Sequence, residues 1–238
     1  MSEQLTTYSV WDKTTRWFHW INVICIVGLI AIGLIIFNAK TLGIHGEAKV
    51  LLKVIHVYIG YVFVLNLAWR LIWAFIGNRY ARWGSLLPVD KNLLHKIKDY
   101  RQNNTAYAGH NPLAKLMISF LLIMMLAQAA TGLVLAGTDI YYPPFGSEIA
   151  EWVAKEGVDP DSLILGDKSM LNADEYQAMR DFRKPFITIH KWAFYLLLIA
   201  IVLHIAAVVM TDIREKSGLI SAMFTGQKVF AKKPIDID

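Results

Sequence analysis

The apolar residues of this chain gather in four long runs instead of alternating with polar residues. The runs cover about residues 17–39, 54–76, 116–138 and 186–211, and charged side chains are nearly absent from them. Each is close to the roughly 20 residues that a helix needs to cross a bilayer. Four such helices in 238 residues would leave too little polar surface to cover them in water. The pattern therefore predicts an all-α integral membrane protein, a four-helix transmembrane bundle formed by one domain over residues 1–238.

Composition and the first run agree with this prediction. Hydrophobic residues make up 55% of the chain, which is high for a soluble domain. The first run is too long for the core of a signal peptide, and no small-residue cleavage site follows it, so we expect it to remain as a span. The only cysteine, Cys25, lies inside this run, which excludes a disulfide within the chain and predicts a packing role.

The charged residues are divided unevenly between the loops. Residues 77–115 carry seven bases against two acids, whereas residues 137–184 carry ten acids against five bases. Because basic loops stay in the cytoplasm, we expect the second loop and both termini there, and the loop 139–185 on the outer side. Spans on both sides of the basic loop argue against nucleic acid as its ligand.

The outward loop is predicted to contain two helical stretches, about residues 147–155 and 172–182. Pro185 is predicted near the start of the fourth span, where proline is tolerated in a first turn. A connection of this length is usually functional. The loop could dock a partner, or it could be only a solvated cap.

Four of the seven histidines lie within or at the edge of the apolar runs, where ionisable residues are costly and usually functional. These four are His19, His56, His190 and His204, whereas His45, His95 and His110 lie in polar loops and are predicted at the surface. His190 and His204 are 14 residues apart. That spacing is close to four helical turns, so the two share a helix face about 21 Å apart along the axis.

Depth in the membrane pairs these histidines. The first span runs outward and the second inward, which places His19 near the inner surface and His56 near the outer surface. The fourth span enters from outside, so His190 is outer and His204 inner. Only His19 with His204 and His56 with His190 then match in depth. Two imidazoles facing one another across a bundle suit a bis-histidine haem iron, so the pattern predicts two haems between the helices.

Other interpretations of the four histidines stay open at this point. A zinc site would need three or four ligands at one depth, and each depth offers two. A proton or metal-ion path would usually need intramembrane carboxylates, and the predicted spans contain none. The histidines could also be unrelated core residues that bond to the backbone.

Several neighbouring residues fit haems as well. Gly33 lies on the His19 face of the first span but at the outer level, and Gly60 lies on the face of His56. Glycine at these positions would let a macrocycle approach, although small residues also serve ordinary helix packing. Arg16, Arg70 and Lys53 could pair with haem propionates. They could instead be interfacial anchors whose charged ends reach the lipid surface.

Four stretches of the chain carry a family resemblance. They are residues 15–20 (Thr-Arg-Trp-Phe-His-Trp), residues 69–82, residues 109–113 (Gly-His-Asn-Pro-Leu) and residues 219–226 (Leu-Ile-Ser-Ala-Met-Phe-Thr-Gly). Together with the histidines at 190 and 204 they resemble bacterial di-haem cytochromes b, in particular the b-type cytochrome subunit of membrane-bound nickel–iron hydrogenases. Residues 127–132 are more similar to related cytochromes b outside the hydrogenases.

The resemblance implies an electron-transfer subunit of the bacterial inner membrane rather than an independent catalyst. Two haems b, held by the four histidines, would carry electrons between a periplasmic redox protein and membrane quinone. The periplasmic protein would be a nickel–iron hydrogenase or a c-type cytochrome, and the quinone would bind near Asn22, Arg70 and Trp73. Alternatives are a stand-alone quinone-linked oxidoreductase, such as a superoxide oxidase, and a membrane anchor or metal transporter without haem.

Overall fold

Helix dominates the structure, a computed structural model that describes residues 5–103 and 105–237. The helices are α1 (Lys13–Phe37), α2 (Gly46–Ile76), α3 (Trp83–Leu86), α4 (Leu93–Asn103), α5 (Pro112–Ile140), α6 (Gly146–Val153), α7 (Ala173–Glu215) and α8 (Leu219–Thr225). A short 3-10 helix (Pro160–Ser162) and two short strands, β1 (Thr6–Ser9) and β2 (Gln227–Phe230), are the other regular elements of the described residues.

The helices α1, α2, α5 and α7 are long and apolar enough to cross a membrane. Many of their large apolar side chains face outward, such as Ile24 (71% exposed), Leu65 (71%) and Phe75 (70%). Exposing such a side chain to water costs roughly 1.5–3 kcal/mol, and a lipid environment removes that cost. The prediction of an all-α integral membrane protein is confirmed.

The fourth spanning helix begins earlier than the sequence predicts. Residues 172–182 do not form a separate helix in the outward loop, because α7 is continuous from Ala173 to Glu215. Asn172 accepts hydrogen bonds from the backbone N–H groups of Asp174 and Glu175, which caps the helix start. Pro185 consequently lies inside α7 and not in its first turn. The other predicted stretch, 147–155, overlaps α6, which covers Gly146–Val153.

Contacts divide the chain into two compact units. The first consists of residues up to 21, residues 66–124 and residues from 196 onward. In it β1 pairs with β2 in antiparallel register, with Thr6 opposite Phe230 and Ser9 opposite Gln227. This sheet lies over a small apolar core made of Val10, Trp11, Tyr80, Ala108, Ala222 and Phe230.

The first unit also encloses His110, which the sequence places at the surface. That prediction is wrong. Part of the residue remains exposed, but its Nδ1 atom is buried and has no hydrogen-bond partner among the described residues. Burial, helped by the nearby charges of Lys228 and Arg70, lowers the pKa of His110 to about 3. His110 is partly buried by a contact between residues far apart in sequence, because its ring packs 4.7 Å from the ring of Trp11, near the C-terminal strand.

Lys228 of β2 is the buried cation of this region. The residue is 2% exposed, its Nζ donates to the Gly109 carbonyl at 3.3 Å, and it lies 5.4 Å from the ring of Trp11. Burial lowers the pKa of Lys228 to about 8, although Glu215 and two aspartates oppose the shift. Strand β2 is therefore anchored by a lysine whose charge is costly to bury.

Lys228→Met is expected to make the stability of the C-terminal strand independent of pH between about 8 and 10.5. An unfolded lysine keeps its proton up to roughly pH 10.4, so the cost of burying the charge is complete below pH 8 and declines as the pH rises through that window. The full cost is roughly 3 kcal/mol. The rate of chymotrypsin cleavage at Phe230 measures opening of the strand. The wild type should become more resistant as the pH rises, and Lys228→Met should be resistant already at pH 7.

Lys232→Met is the control for this measurement, because Lys232 is exposed in the same tail. It should keep the pH profile of the wild type. A Lys228→Met protein whose strand opens faster than the wild type at pH 7 would contradict the prediction. In that case the Gly109 hydrogen bond and the Trp11 contact would stabilise the strand by more than the buried charge destabilises it.

The second unit consists of residues 22–65 and 125–195. The segment between α5 and α7 folds within it around α6, with an apolar core made of Ile149, Val153, Leu171 and Met179. Gly146 begins α6 so close to Tyr141 that a Cβ atom would overlap the Tyr141 carbonyl oxygen, so the turn requires glycine. The outward loop of the sequence analysis is therefore largely a folded segment.

Candidate haem sites

The first unit contains His19 on α1 and His204 on α7, the pair predicted for the inner depth. The two imidazoles are close enough to interact electrostatically. The Nδ1 atom of His19 is buried and makes no hydrogen bond within the described ranges. The ring of Trp20 stands perpendicular to the His19 ring at 5.2 Å between centroids. The structure thus brings together two imidazoles from separate helices.

The second unit contains the other predicted pair, His56 on α2 and His190 on α7, which also interact electrostatically. Gly33 of α1 lies against this pair, since a Cβ on Gly33 would be 3.3 Å from Cε1 of His56. A Cβ on Gly132 of α5 would be 3.5 Å from Cε1 of His190. The missing side chains of the two glycines thus allow the helices to lie close to the two imidazole rings.

Helix α5 supplies polar contacts to His190 that sequence reasoning missed. The Thr131 hydroxyl lies 2.8 Å from Nδ1 of His190, and Nε2 of Gln128 donates to the His190 carbonyl at 3.1 Å. The available signal was a glutamine and a threonine three residues apart in an otherwise apolar stretch of the helix, residues 120–137, where polar groups need partners. The bond from Thr131 engages Nδ1 of His190 and leaves its Nε2 for a ligand.

Arg70 is the most enclosed of the three predicted propionate cations. It is 7% exposed, and its guanidinium lies 5.7 Å from the ring of Phe18. One terminal nitrogen, Nη2, donates to the Ala81 carbonyl at 3.1 Å. The other, Nη1, is buried without a hydrogen-bond partner in the described part of the chain. An orphaned guanidinium nitrogen fits an anion such as a haem propionate.

The other two cations already have protein partners. Arg16 donates through Nη1 to the Phe224 carbonyl, whereas its buried Nε has no partner among residues 5–103 and 105–237. Lys53 forms an ion pair with Asp139 at 2.6 Å, and Arg183 binds the same carboxylate at 2.8 Å. Lys53 is thus engaged by Asp139, and its role toward a propionate stays a prediction.

The remaining predicted residues occupy different settings. A Cβ on Gly60 would meet nothing within 4 Å, so this helix face is open. Of the predicted quinone residues, Asn22 is 7% exposed and donates to the sulfur of Met125, and Trp73 donates to Asp12 at 3.0 Å. A groove of about 440 Å³ is not lined by the predicted quinone residues. Its lining consists of Lys13, Arg16, Trp17, Trp20, Met223 and Phe224.

The donor set fits haem better than a protein-only metal site. Within the described ranges, no group of three or more His, Cys, Asp or Glu side chains is placed to hold a metal ion. Each unit instead offers two imidazoles on its spanning helices, which is what a metal needs when a macrocycle provides its four other ligands. The orphaned nitrogen of Arg70 agrees with an acid-bearing group, and Gly33 and Gly132 lie directly beside two of the imidazoles.

Comparison with known sequences now decides the family. A sequence model described as "Prokaryotic cytochrome b561" matches residues 10–226. The chain belongs to this family. The cytochrome is therefore a membrane protein of the b type, which implies haem b and electron transfer. No solved structure matches it.

Curated relatives of this cytochrome b561 carry hydrogenase names. The "Probable Ni/Fe-hydrogenase B-type cytochrome subunit" of Azotobacter vinelandii is 26% identical over 94% of this chain and 90% of its own length. Its namesake from Bradyrhizobium diazoefficiens is 25% identical over 94% and 87%. The "Probable Ni/Fe-hydrogenase 1 B-type cytochrome subunit" of Escherichia coli K12 is 30% identical over 60% of this chain and 66% of its own. The resemblance predicted from the sequence is confirmed.

Proposed function

We propose that this cytochrome is a transmembrane di-haem electron carrier between a periplasmic nickel–iron hydrogenase and membrane quinone. The observation that supports the proposal is that each unit holds two histidines, on different spanning helices, which are close enough to interact electrostatically. His19 with His204 would bind one haem b, and His56 with His190 would bind the second. In this arrangement both termini lie on the cytoplasmic side of the bacterial inner membrane, as the basic second loop predicts.

The bound haems supply one-electron chemistry, and the chain supplies ligands, orientation and a low-dielectric surrounding. Thr131 holds the ring of His190, and Arg70 offers an unpaired donor next to Phe18, whose neighbour in the chain is His19. The apolar spans keep water away from the four imidazoles. Outside the membrane, the folded segment around α6 offers a structured surface to a partner.

The names of the relatives support a hydrogenase as the partner over a c-type cytochrome. Several relatives over most of this chain are called hydrogenase cytochrome subunits. The alternative of a stand-alone superoxide oxidase differs in needing no protein partner for turnover.

Reconstitution tests the proposal. The purified cytochrome should contain two haems per chain, with the sharp reduced bands of bis-histidine haem b. In vesicles that also contain quinone and a nickel–iron hydrogenase from the same organism, hydrogen should reduce both haems and then the quinone. Vesicles without the hydrogenase are the control. A colourless preparation from haem-replete cells would refute the proposal, and quinone turnover with superoxide but not with hydrogen would favour the stand-alone oxidase.

A further inference from the structure

We propose that Thr131 is a positioning residue for His190, which fixes the ring's tautomer and makes it a stronger electron donor to iron. This inference rests on the proposed haem ligation by His56 and His190. Thr131 is 5% exposed on α5, a helix that carries none of the four predicted ligands. Its role would be to hold a ligand that belongs to another helix.

The direction of the hydrogen bond follows from counting protons. A threonine hydroxyl has one proton to donate and two lone pairs to accept with. The Thr131 hydroxyl lies 2.6 Å from the Ala127 carbonyl, which only accepts, so its proton goes there. At the 2.8 Å contact with His190 the oxygen must then accept, and Nδ1 of His190 carries the proton. The other ring nitrogen, Nε2, is left unprotonated and free to bind a metal.

The surroundings of Thr131 strengthen this assignment. One helical turn earlier, Gln128 donates to the backbone carbonyl of His190 at 3.1 Å, and the next residue, Gly132, leaves room for the ring. Three nearby residues of α5 thus contact His190: Gln128 bonds to its backbone, Thr131 bonds to its ring, and Gly132 lies beside the ring. His56, the partner of His190, has a buried Nδ1 without a protein partner in the described part of the chain.

An acceptor on Nδ1–H raises the basicity of a metal-bound imidazole and fixes its plane. A more basic ligand stabilises ferric iron, so Thr131 should lower the midpoint potential of the haem at His56 and His190. Removing the hydroxyl should raise that potential and weaken haem binding, roughly 10- to 100-fold as for other partners of metal ligands. The haem at His19 and His204 should be unaffected.

The test compares Thr131→Val, which keeps the shape, with Thr131→Ser, which keeps the hydroxyl. Redox titration, haem titration and the EPR spectrum of the ferric protein are recorded for each variant. Thr131→Val should shift the potential and the EPR signal of one haem only, and Thr131→Ser should restore both. Retention of the other haem shows that the variant is folded, and Thr131→Ala should give the same shift if the valine variant does not accumulate.

Thr138→Val is the matched control. Thr138 is 3% exposed on the same helix and donates to the Val134 carbonyl at 2.9 Å, and its hydroxyl bonds to no imidazole of the described residues. An equal shift in Thr138→Val would overturn the inference, as would unchanged potential and affinity in Thr131→Val. A wild type that binds no haem would instead refute the proposed function, so the two failures are distinguishable.

Discussion

Replacing any one of the four intramembrane histidines with alanine should reduce the haem content from two per chain to one. Each haem would depend on both of its axial imidazoles, and the two sites lie in separate units. His19→Ala and His204→Ala should therefore leave the same residual spectrum and the same single midpoint potential. His56→Ala and His190→Ala should leave the other. Haem extraction gives the stoichiometry, and redox titration identifies which haem remains.

The exposed histidines provide matched controls. His45 and His95 lie at the surface, so His45→Ala and His95→Ala should both retain two haems. The pairing would be refuted if His19→Ala resembled His56→Ala instead of His204→Ala. It would also be refuted if any of the four variants kept both haems with unchanged potentials.

The spans could be predicted from sequence because a bilayer imposes a simple requirement, about 20 apolar residues in a row. The pairing of histidines by depth needed only the helical rise and the direction of each span. It predicts His19 near His204 and His56 near His190, and in the structure the rings of each pair are close enough to interact electrostatically. Haem ligation itself stays a prediction, since it concerns a group outside the chain.

Contacts between distant residues could not be predicted in this way. Thr131 and His190 are separated by 59 positions, and no local pattern reports their hydrogen bond. The loop around His110 looks polar, yet Trp11 and Lys228 come from opposite ends of the chain to enclose it. The start of α7 is different, because the sequence already predicts helix from residue 172, and Asn172 caps it. The continuation of that helix through Pro185 into the fourth span is what the sequence did not predict.

Arg70→Gln should lower the midpoint potential of the haem at His19 and His204 and weaken its binding. Arg70 is 7% exposed with Nη1 unpaired, and a buried charge without a partner is costly. Asp12 is close enough to interact with it, but that carboxylate already accepts from the Thr15 backbone and from Trp73. A haem propionate would therefore be the counterion. Its charge-assisted bond contributes roughly 1.5–3 kcal/mol, which corresponds to a loss of affinity of about 10- to 100-fold.

Arg79→Gln is the control, because Arg79 lies exposed in the same unit and donates to the Asp236 carbonyl at 2.7 Å. Redox titration should show one potential falling in Arg70→Gln, since a lost positive charge makes the added electron less stable, and neither potential changing in Arg79→Gln. Arg70→Lys keeps the charge and should retain most of the potential. A fall confined to the haem at His56 and His190 would place Arg70 at the wrong site, and unchanged potentials would mean that its guanidinium serves the Ala81 carbonyl alone.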